Sequence, residues 1–326
     1  MPELPEVEIA SRQLRSWLEG RRVISARAEK SRVIRGQTQA RFGGLVGRRL
    51  AGIERFGKWM LLSFDGGEGL ISHLGMTGKW VRRGAEEPKP SHVRASLTLE
   101  DGHAVDYRDM RLFGRLIRGK IPELRASEAL RALGPDPLEG IDVDRLHAVL
   151  SRTKRSMKEA LMDQRTLAGL GNIQVSESLH RAGIDPRRPA HSMIHEETER
   201  LAQAIGASLR ATLTDEDSPE PITYVEEGGE NVFLVYDREG QPCTTCGTAI
   251  RRIVQGGRST YYCSTCQPRW RARGTSRTGP VRGVARASLA RASPARASPA
   301  RRKAAQRAPV RPLRVIQGGR PARRSR

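Results

Sequence analysis

The chain has 326 residues and a formal net charge of +22, from 58 Lys and Arg against 36 Asp and Glu. No stretch approaches the ~18 consecutive apolar residues of a membrane-spanning helix, and the acidic N-terminus lacks the apolar region of a secretory signal. We therefore exclude an integral membrane protein, expect a cytoplasmic protein rather than a secreted one, and allow for two domains or slightly more.

The first candidate site is the N-terminal peptide itself. Because a small residue at position 2 favours removal of Met1, the ring nitrogen of Pro2 is expected to be a free secondary amine. An α-amino group titrates near pH ~7.7–8.0, against ~10.4 for lysine, so part of it is neutral at pH 7 and can attack an electrophilic carbon. Glu3 and Glu6 beside it are able to donate or shuttle a proton. Pro5 and these acids are equally compatible with a simple helix start, so the peptide alone leaves both interpretations open.

The next elements are a helix and a series of strands. Apolar periodicity predicts the helix over residues 6–19, ended by Gly20. From about 22 to 119, short apolar runs alternate with Gly, Asp and Pro, a pattern that predicts the short strands of a β-sandwich or barrel. Lys58 follows Gly57 at the start of one of these strands. Its ammonium group is suited to a phosphate, although a lysine at a strand end is more often simply solvated.

A helical region follows the strands. Residues 134–137, Gly-Pro-Asp-Pro, interrupt the pattern, and residues 142–212 then show helical periodicity. Within this region, residues 167–173 contain two glycines and predict a tight turn between two helices. Asn172 is able to cap the next helix and to leave backbone amides directed at an anion. An ordinary turn of a helical hairpin is the alternative interpretation.

All four cysteines fall within residues 243–266, as two Cys-x-x-Cys pairs with sixteen residues between them. This spacing is typical of a zinc ribbon, in which two hairpins each supply two thiolates to one structural ion. The predicted zinc ligands are Cys243, Cys246, Cys263 and Cys266. A redox-active pair of motifs is the weaker alternative. Residues 251–258 between the pairs predict a hairpin with a Gly-Gly tip and flanking arginines, suited to a nucleic-acid groove or to a merely solvated turn.

The C-terminal segment carries most of the charge. Residues 267–326 contain 17 Arg, one Lys and no acidic residue, so +18 lies there and the other 266 residues carry +4. Repeats of Ala-Arg-Ala-Ser occur across 285–299, and such a low-complexity sequence cannot bury enough apolar surface to fold. We predict a disordered tail over 268–326 that strengthens binding to phosphates without reading bases. A nucleic-acid surface on the folded part must then be a local patch.

Five motifs occur in the order found in the formamidopyrimidine-DNA glycosylase (Fpg) family, which the chain resembles over residues 2–267. They are Pro-Glu-Leu-Pro-Glu-Val-Glu at 2–8, Lys58, His73-Leu74-Gly75-Met76, Gly171-Asn172-Ile173 and the four-cysteine ribbon. The resemblance implies an α+β multidomain enzyme. Its parts are a β-sandwich domain with an N-terminal helix (2–120), a helix-two-turn-helix domain (134–218), a lesion-loop and zinc-ribbon region (219–267) and the tail (268–326). The implied partner is double-stranded DNA with a damaged base, bound in the cleft between the domains of a monomer.

The resemblance also implies roles for individual residues. Pro2 would attack the anomeric carbon of the damaged nucleotide, Glu3 would be the general acid at the sugar, and Glu6 would lie in the lesion pocket. The implied DNA contacts are the phosphate-binding Lys58, Asn172 and Arg258, the wedge Met76, Arg111 and Phe113 that fills the space of the flipped base, and the further contacts His92 and Lys158. The resemblance also implies a catalytic role for Lys58. One nitrogen would thus serve both base removal and strand cleavage by β,δ-elimination.

Three positions depart from the family pattern. Leu112 stands within the wedge where arginine is frequent, Gln174 stands where tyrosine is usual, and residues 217–232 are acidic and contain prolines where the lesion loop is commonly rich in Gly and Thr. The loop leaves open whether the substrate is an oxidised purine, such as 8-oxoguanine or a formamidopyrimidine, or an oxidised pyrimidine as for endonuclease VIII. The Leu-Pro after Glu3 favours the first, because the endonuclease VIII relatives usually have Gly-Pro there. A zinc-ribbon DNA-binding protein without catalysis is the alternative from another class.

Overall fold

The N-terminal helix α1 opens the fold in this computed structural model, which describes residues 2–35, 38–213 and 231–271. The helix spans Leu4–Leu18, so it begins two residues earlier than predicted. The early start follows from the local chemistry: Pro5 fits the first turn, and the backbone N–H of Glu3 donates to the Glu6 carboxylate at 2.9 Å. Leu14 and Leu18 are buried, so the apolar face of α1 packs into the core of the first domain.

Eight strands form the predicted β-sandwich as two four-stranded sheets, which confirms the expected fold of the first domain. The strands are β1 (Val23–Ala28), β2 (Leu50–Phe56), β3 (Trp59–Phe64), β4 (Glu68–His73), β5 (Lys79–Arg83), β6 (Val93–Leu99), β7 (Ala104–Arg108) and β8 (Arg115–Lys120). The sheet orders are β1-β6-β7-β5 and β2-β3-β4-β8, with antiparallel neighbours throughout. Leu62, Phe64, Leu97 and Tyr107 pack with α1 in one shared core. Three short helices, α2 (Gln39–Phe42), α3 (Ile121–Arg125) and α4 (Glu128–Arg131), flank the sandwich.

The described part of the second domain contains four α-helices, in the region where helices were predicted. They are α5 (Val143–Ser151), α6 (Met157–Met162), α7 (Asn172–Ala182) and α8 (His195–Thr212). The termini follow capping rules: the Asp142 carboxylate accepts the backbone N–H of Arg145 at 2.9 Å, and Gly183 ends α7 with a positive φ of 67°. Leu150, Leu161 and Leu179 are buried in the core of this domain.

A hairpin of β9 (Arg251–Gln255) and β10 (Arg258–Tyr262) forms the third part. Gly256 and Gly257 join the strands with φ values of 54° and 72°, which confirms the predicted Gly-Gly tip. The chain that leads into the hairpin is fastened to α7 by Glu177. Its carboxylate, 2% exposed, accepts the backbone N–H groups of Leu234, Val235 and Tyr236 at 2.8, 2.9 and 3.0 Å.

Two predicted segments lie largely outside the described residues. They are the acidic loop at 217–232, of which 231 and 232 are described, and the basic tail at 268–326, of which 268–271 are described. Within the described ranges, no helix combines the length and the apolar character needed to cross a bilayer.

Candidate active site

The N-terminal peptide is held at the junction of the two domains. The backbone N–H of Leu4 donates to the Gly169 carbonyl at 3.1 Å, and the Leu4 side chain belongs to the core of the second domain rather than to that of the sandwich. Gly169 has a φ of 92°, and a Cβ at this position would lie 2.6 Å from Leu4 Cδ1. A glycine is therefore required there, and the docking of Leu4 fixes Pro2 at the start of a rigid segment.

The Glu3 carboxylate caps the N-terminus of α7. The side chain is 1% exposed and accepts the backbone N–H groups of Gly171, Ile173 and Gln174 at 3.0, 2.9 and 2.9 Å. Free amides at a helix N-terminus are suited to a carboxylate, so this cradle holds the Glu3 side chain in one orientation. The prediction that Asn172 caps the helix is wrong. Gly171 is the N-cap, Asn172 is the first helical residue, and the anion that the amides bind is the protein's own carboxylate.

Glu6 is a second buried acid beside the first. It is 9% exposed, and burial together with the negative charge of Glu3 raises its pKa to about 7. Near neutral pH it is present in both protonation states. A carboxyl group with this pKa is able to donate and to accept a proton within the same site.

Lys58 reaches the same site from the sandwich. It lies in the two-residue turn between β2 and β3, where Phe56 pairs with Trp59, and not at the start of the strand as predicted. The turn packs on the second domain, since a Cβ at Gly57 would lie 2.8 Å from the Gly169 nitrogen. A Cβ at Gly171 would lie 2.6 Å from Lys58 Nζ and 2.3 Å from Glu3 Oε1. The pKa of Lys58 is lowered, chiefly by burial and to a smaller extent by the charge of Arg258. The negative charges of Glu3 and Glu6 act in the opposite direction.

One cavity of about 270 Å³ lies here, and its lining includes Pro2, Lys58, His73, Gly171 and Arg258. The predicted nucleophile, the predicted phosphate-binding lysine and the arginine of the zinc ribbon are therefore brought together. Arg258 is exposed as the first residue of β10. The cavity has a cationic wall next to a buried pair of carboxyl groups, an arrangement suited to an anionic substrate that needs proton transfer.

His73 lines this cavity although no sequence pattern assigned it a role of its own. Its ring lies 4.5 Å from the Trp59 ring, and Nδ1 accepts the Gly75 backbone N–H at 3.1 Å. Burial, with smaller contributions from the charges of Lys58 and Arg115, lowers its pKa to about 4. The ring is therefore neutral at pH 7 and carries its proton on Nε2.

The predicted wedge residues lie on two adjoining loops of the sandwich. The backbone of Gly75 packs on that of Phe113, because a Cβ at Gly75 would lie 2.5 Å from Phe113 C. This contact brings the loop of the half-buried Met76 to the loop of Arg111 and Phe113. The Arg111 guanidinium lies 5.2 Å from the centre of the Phe113 ring, and 52% of Phe113 is exposed. An exposed aromatic ring on a constrained loop is available to a ligand.

Asp109 organises the second of these loops and was missed by the sequence interpretation. Its side chain is fully buried. One carboxylate oxygen accepts from Thr77 Oγ1 at 2.7 Å and from the Arg111 backbone N–H at 3.2 Å, and the other accepts the Gly114 N–H at 2.7 Å. Leu112, the residue that departs from the family pattern, has a φ of 59° and packs against the sandwich core. It anchors the loop from within.

The four cysteines fit a tetrahedral zinc ion. Their sulfur atoms all lie within 4.8 Å of one another, with 3.9 Å between Cys243 and Cys266 and 3.4 Å between Cys246 and Cys263. Four thiolates at about 2.3 Å from zinc are about 3.8 Å apart, so the observed separations match this ligand set. All four are free of disulfides. With four protein ligands the site is closed, which makes it structural rather than catalytic.

Three modules of one enzyme family match the chain in order. The formamidopyrimidine-DNA glycosylase N-terminal domain matches residues 1–116, the formamidopyrimidine-DNA glycosylase H2TH domain matches 133–220, and the zinc finger found in FPG and IleRS matches 240–269. The chain belongs to the formamidopyrimidine-DNA glycosylase family. The Fpg of Methylococcus capsulatus is 38% identical over 274 residues, which cover 82% of this chain and all of that protein. An Fpg of Thermus thermophilus is 38% identical over 276 residues, which cover 82% of this chain and 98% of that protein.

Solved Fpg structures share the fold. The crystal structure of a Thermus thermophilus Fpg has a TM-score of 0.70 at 36% identity and covers 82% of this chain and 98% of its own. The complex of Lactococcus lactis Fpg with DNA containing FAPY-dG has a TM-score of 0.74 at 29% identity and covers 82% of this chain and 100% of its own.

Not all the DNA contacts predicted for this Fpg family member lie at the cavity surface. Lys158 is fully buried, and its Nζ donates to the Ser259 carbonyl at 2.8 Å and to Thr260 Oγ1 at 2.7 Å. Its pKa is lowered to about 8, chiefly by burial. In this conformation Lys158 holds the strand that begins with Arg258, and direct contact with DNA stays a prediction. His92 is exposed before β6 with a φ of 62°, and its contact with DNA likewise stays a prediction.

Gln174, which stands where the Fpg family usually has a tyrosine, joins two helices of the second domain. The side chain is fully buried; its Nε2 donates to Thr212 Oγ1 at 2.9 Å and its Oε1 accepts from Ser208 Oγ at 2.8 Å. Both partners lie on α8. The amide thereby joins α8 to the helix turn that holds Glu3.

Proposed function

We propose that this protein is a bifunctional DNA glycosylase and abasic-site lyase that removes oxidised purines from DNA. The observation that carries the proposal is the cavity lined by Pro2, Lys58 and Gly171. The Gly171 N–H donates to the carboxylate of Glu3, the residue that follows Pro2. A protein that only binds DNA has no need of two buried acids beside its N-terminus.

Base removal begins at Pro2. After loss of Met1, the lone pair of the ring nitrogen attacks C1′ of the damaged nucleotide, the N–C1′ bond forms, and the glycosidic bond breaks with its electron pair leaving on the base. Glu3 is directed at the sugar by its three amide bonds and acts there as the acid that assists ring opening. Glu6, with a pKa of about 7, exchanges protons with this pair at neutral pH.

Strand cleavage follows from the same covalent bond. The amine proton passes to the Glu3 carboxylate, and Glu3 then protonates O4′ as the nitrogen lone pair breaks the C1′–O4′ bond. The opened sugar carries an iminium at C1′, which acidifies the protons on C2′. Removal of one of them expels the 3′ phosphate, and a second elimination expels the 5′ phosphate. Water then releases the sugar fragment and regenerates the Pro2 amine. Lys58 and Arg258, which line the cavity, would offset the negative charge of the departing phosphates.

The DNA must bend and expose the lesion before this chemistry. A base inside the duplex is out of reach, and flipping it costs a few kcal/mol. We propose that Met76, Arg111 and Phe113 fill the vacated space and offset part of this cost. Asn172 and Arg258 would then hold the phosphates of the everted nucleotide.

Zinc has a structural role in this proposal. Bound by the four thiolates, the ion supplies a crosslink that stabilises the ribbon fold. Contacts within the chain connect the ribbon to the cavity. Lys158 binds Ser259 and Thr260 in β10, and Arg258 at the start of the same strand lines the cavity.

The wider organisation is part of the proposal. The domains would be residues 2–120, 134–218 and 219–267, with the tail at 268–326 adding affinity for DNA. The enzyme would act as a monomer on the bacterial nucleoid in the cytoplasm.

Borohydride trapping on a panel of duplexes tests the function. Each duplex carries one defined lesion: 8-oxoguanine, a formamidopyrimidine, an oxidised pyrimidine or an abasic site. Reduction of the iminium to a stable amine should give a covalent adduct with the purine lesions and with the abasic site. Adducts with the oxidised pyrimidine and the abasic site but not with the purine lesions would instead favour endonuclease VIII-like specificity. No adduct with any duplex would favour a DNA-binding protein without catalysis.

A further inference from the structure

A second charged surface lies on the outer face of the sheet that contains β1 and β6. It is a groove of about 630 Å³, and we call it the outer groove. Its basic side chains are Arg27, Lys30, Arg83, Lys89 and Arg94. Glu29 is the acidic residue of the lining, and Lys89 and Arg94 each approach it at 3.4 Å. Five cations face two carboxylates, the exposed Glu29 and the buried Asp106 that binds Arg83, so the groove has a net positive charge.

Three hydroxyl side chains lie in the floor of the outer groove, and one of them, Ser96, donates to the Asp106 carboxylate. Ser25 in β1 and Ser96 and Thr98 in β6 line it, and they share one face of the sheet because strand side chains alternate. Arg83 is fixed above this floor, since its Nε donates at 2.8 Å to the fully buried Asp106. Arginine, lysine, serine and threonine are the side chains that contact DNA phosphates most, and none of these contacts depends on the base.

The outer groove starts at the wedge loop. Arg94 Nε donates to the Asp109 carbonyl at 3.0 Å, and the Asp109 backbone N–H donates to the His92 carbonyl at 3.0 Å. Asp109 is the residue whose carboxylate orders the loop of Arg111 and Phe113. From this end β6 runs for seven residues to Leu99, a length of about 20 Å at ~3.3 Å per residue. Measured along the axis of a duplex, that length spans about six nucleotides of one strand at ~3.4 Å each.

We propose that the outer groove binds the phosphate backbone of the duplex on one side of the lesion. The inference rests on the proposed function, because it needs DNA to be engaged at the wedge loop. The groove would add affinity without reading sequence, and it would extend the bound DNA in one direction only.

The experiment removes three exposed cations of the outer groove and measures whether DNA binding weakens for DNA on only one side of the lesion. The variant is Arg27→Gln, Lys30→Gln and Lys89→Gln together. Its matched control removes three exposed arginines outside the groove, Arg131→Gln, Arg145→Gln and Arg181→Gln. Two duplexes of equal length carry an uncleavable abasic-site analogue, one with its long arm on the 5′ side of the lesion and one with it on the 3′ side. The affinity of each protein for each duplex is measured against salt concentration.

The groove variant should lose slope in the plot of log affinity against log salt for one duplex and keep it for the other. The expected loss is up to about 2.7, at ~0.9 for each of three phosphate contacts. The control should not distinguish the duplexes. An unchanged slope on both duplexes overturns the proposal and leaves an acidic protein as the groove's ligand. An equal loss on both overturns it as well, because that is a general effect of charge.

Borohydride trapping on a cleavable abasic duplex with short arms separates this proposal from the proposed function. A wild-type protein that forms the adduct but shows no dependence on arm direction overturns the groove alone. If the salt dependence differs between the two arm directions but no adduct forms, the proposed role of the outer groove is supported and the proposed chemistry is overturned.

Discussion

Gly171→Ala should disable catalysis while leaving the fold intact. The φ of Gly171 is −134°, which alanine adopts without strain, so the backbone itself does not oppose the change. The added Cβ would lie 2.3 Å from Glu3 Oε1 and 2.6 Å from Lys58 Nζ. Both groups must move, and both belong to the proposed active site. The substitution therefore tests the geometry of the cavity with a single methyl group.

The size of the effect follows from the bonds that Glu3 makes. Its carboxylate accepts three amide hydrogen bonds, and a bond to a charged group contributes about 1.5–3 kcal/mol. If the shift of Glu3 breaks one bond that also orients it in the transition state, the rate falls by about 10- to 150-fold. The assay is single-turnover cleavage of an abasic duplex, with thermal unfolding measured in parallel.

Gly52→Ala is the matched control, because no atom lies within 4 Å of the corresponding Cβ position in β2. It should cleave at the wild-type rate. Full activity of Gly171→Ala would refute the reasoning, since it would show that the amide cradle of Glu3 does not set the reaction rate.

The other predictions concern the second acid, the nucleophile, the zinc ion and the tail. Folding raises the pKa of Glu6 from 4.5 to about 7, so the native state binds the extra proton and stability should fall as pH rises through this range. Glu6→Gln should abolish that dependence and stabilise the protein at pH 8 by up to about 3 kcal/mol. The free energy of unfolding is measured in urea at pH 5 and pH 8, and an equal change between these pH values in both proteins would contradict this. Pro2→Gly should slow adduct formation strongly and a retained Met1 should prevent it, whereas an adduct from a blocked N-terminus would identify a lysine as the nucleophile. Chelation of zinc, or Cys246→Ser, should weaken DNA binding as Arg258 loses its support, and metal analysis that finds fully active protein without zinc would exclude this role. Deletion of residues 271–326 should reduce the slope of log DNA affinity against log salt concentration by up to ~0.9 per lost phosphate contact. The relative rates on different lesions should not change, so a changed lesion preference would contradict the proposed role of the tail.

The sequence was sufficient for the elements whose signals are local. The periodicity of α1, the Cys-x-x-Cys spacing and the Gly256-Gly257 tip each report on a few neighbouring residues, and the structure bears out all three. Two other local assignments are wrong: Lys58 lies in a turn and not at the start of a strand, and Gly171, not Asn172, is the N-cap of α7. Asparagine is a good N-cap by type, but the position before it is occupied by a glycine whose small size admits a carboxylate from far away in the chain.

The parts that the sequence could not predict are contacts between residues remote from one another in the chain. Glu3 and Gly171 are 168 residues apart, and Lys158 and Ser259 are 101 residues apart. No periodicity reports such pairs, because each partner has a plausible local role of its own: Glu3 as a first-turn acid and Lys158 as a surface cation. The buried carboxylates that escaped notice, Asp109 and Glu177, show the same logic. Each accepts backbone N–H groups, and backbone donors leave no mark on the sequence. Such carboxylates fix loops that carry exposed side chains. The exposed candidates for DNA contact are therefore easier to find from sequence than the residues that hold them in place.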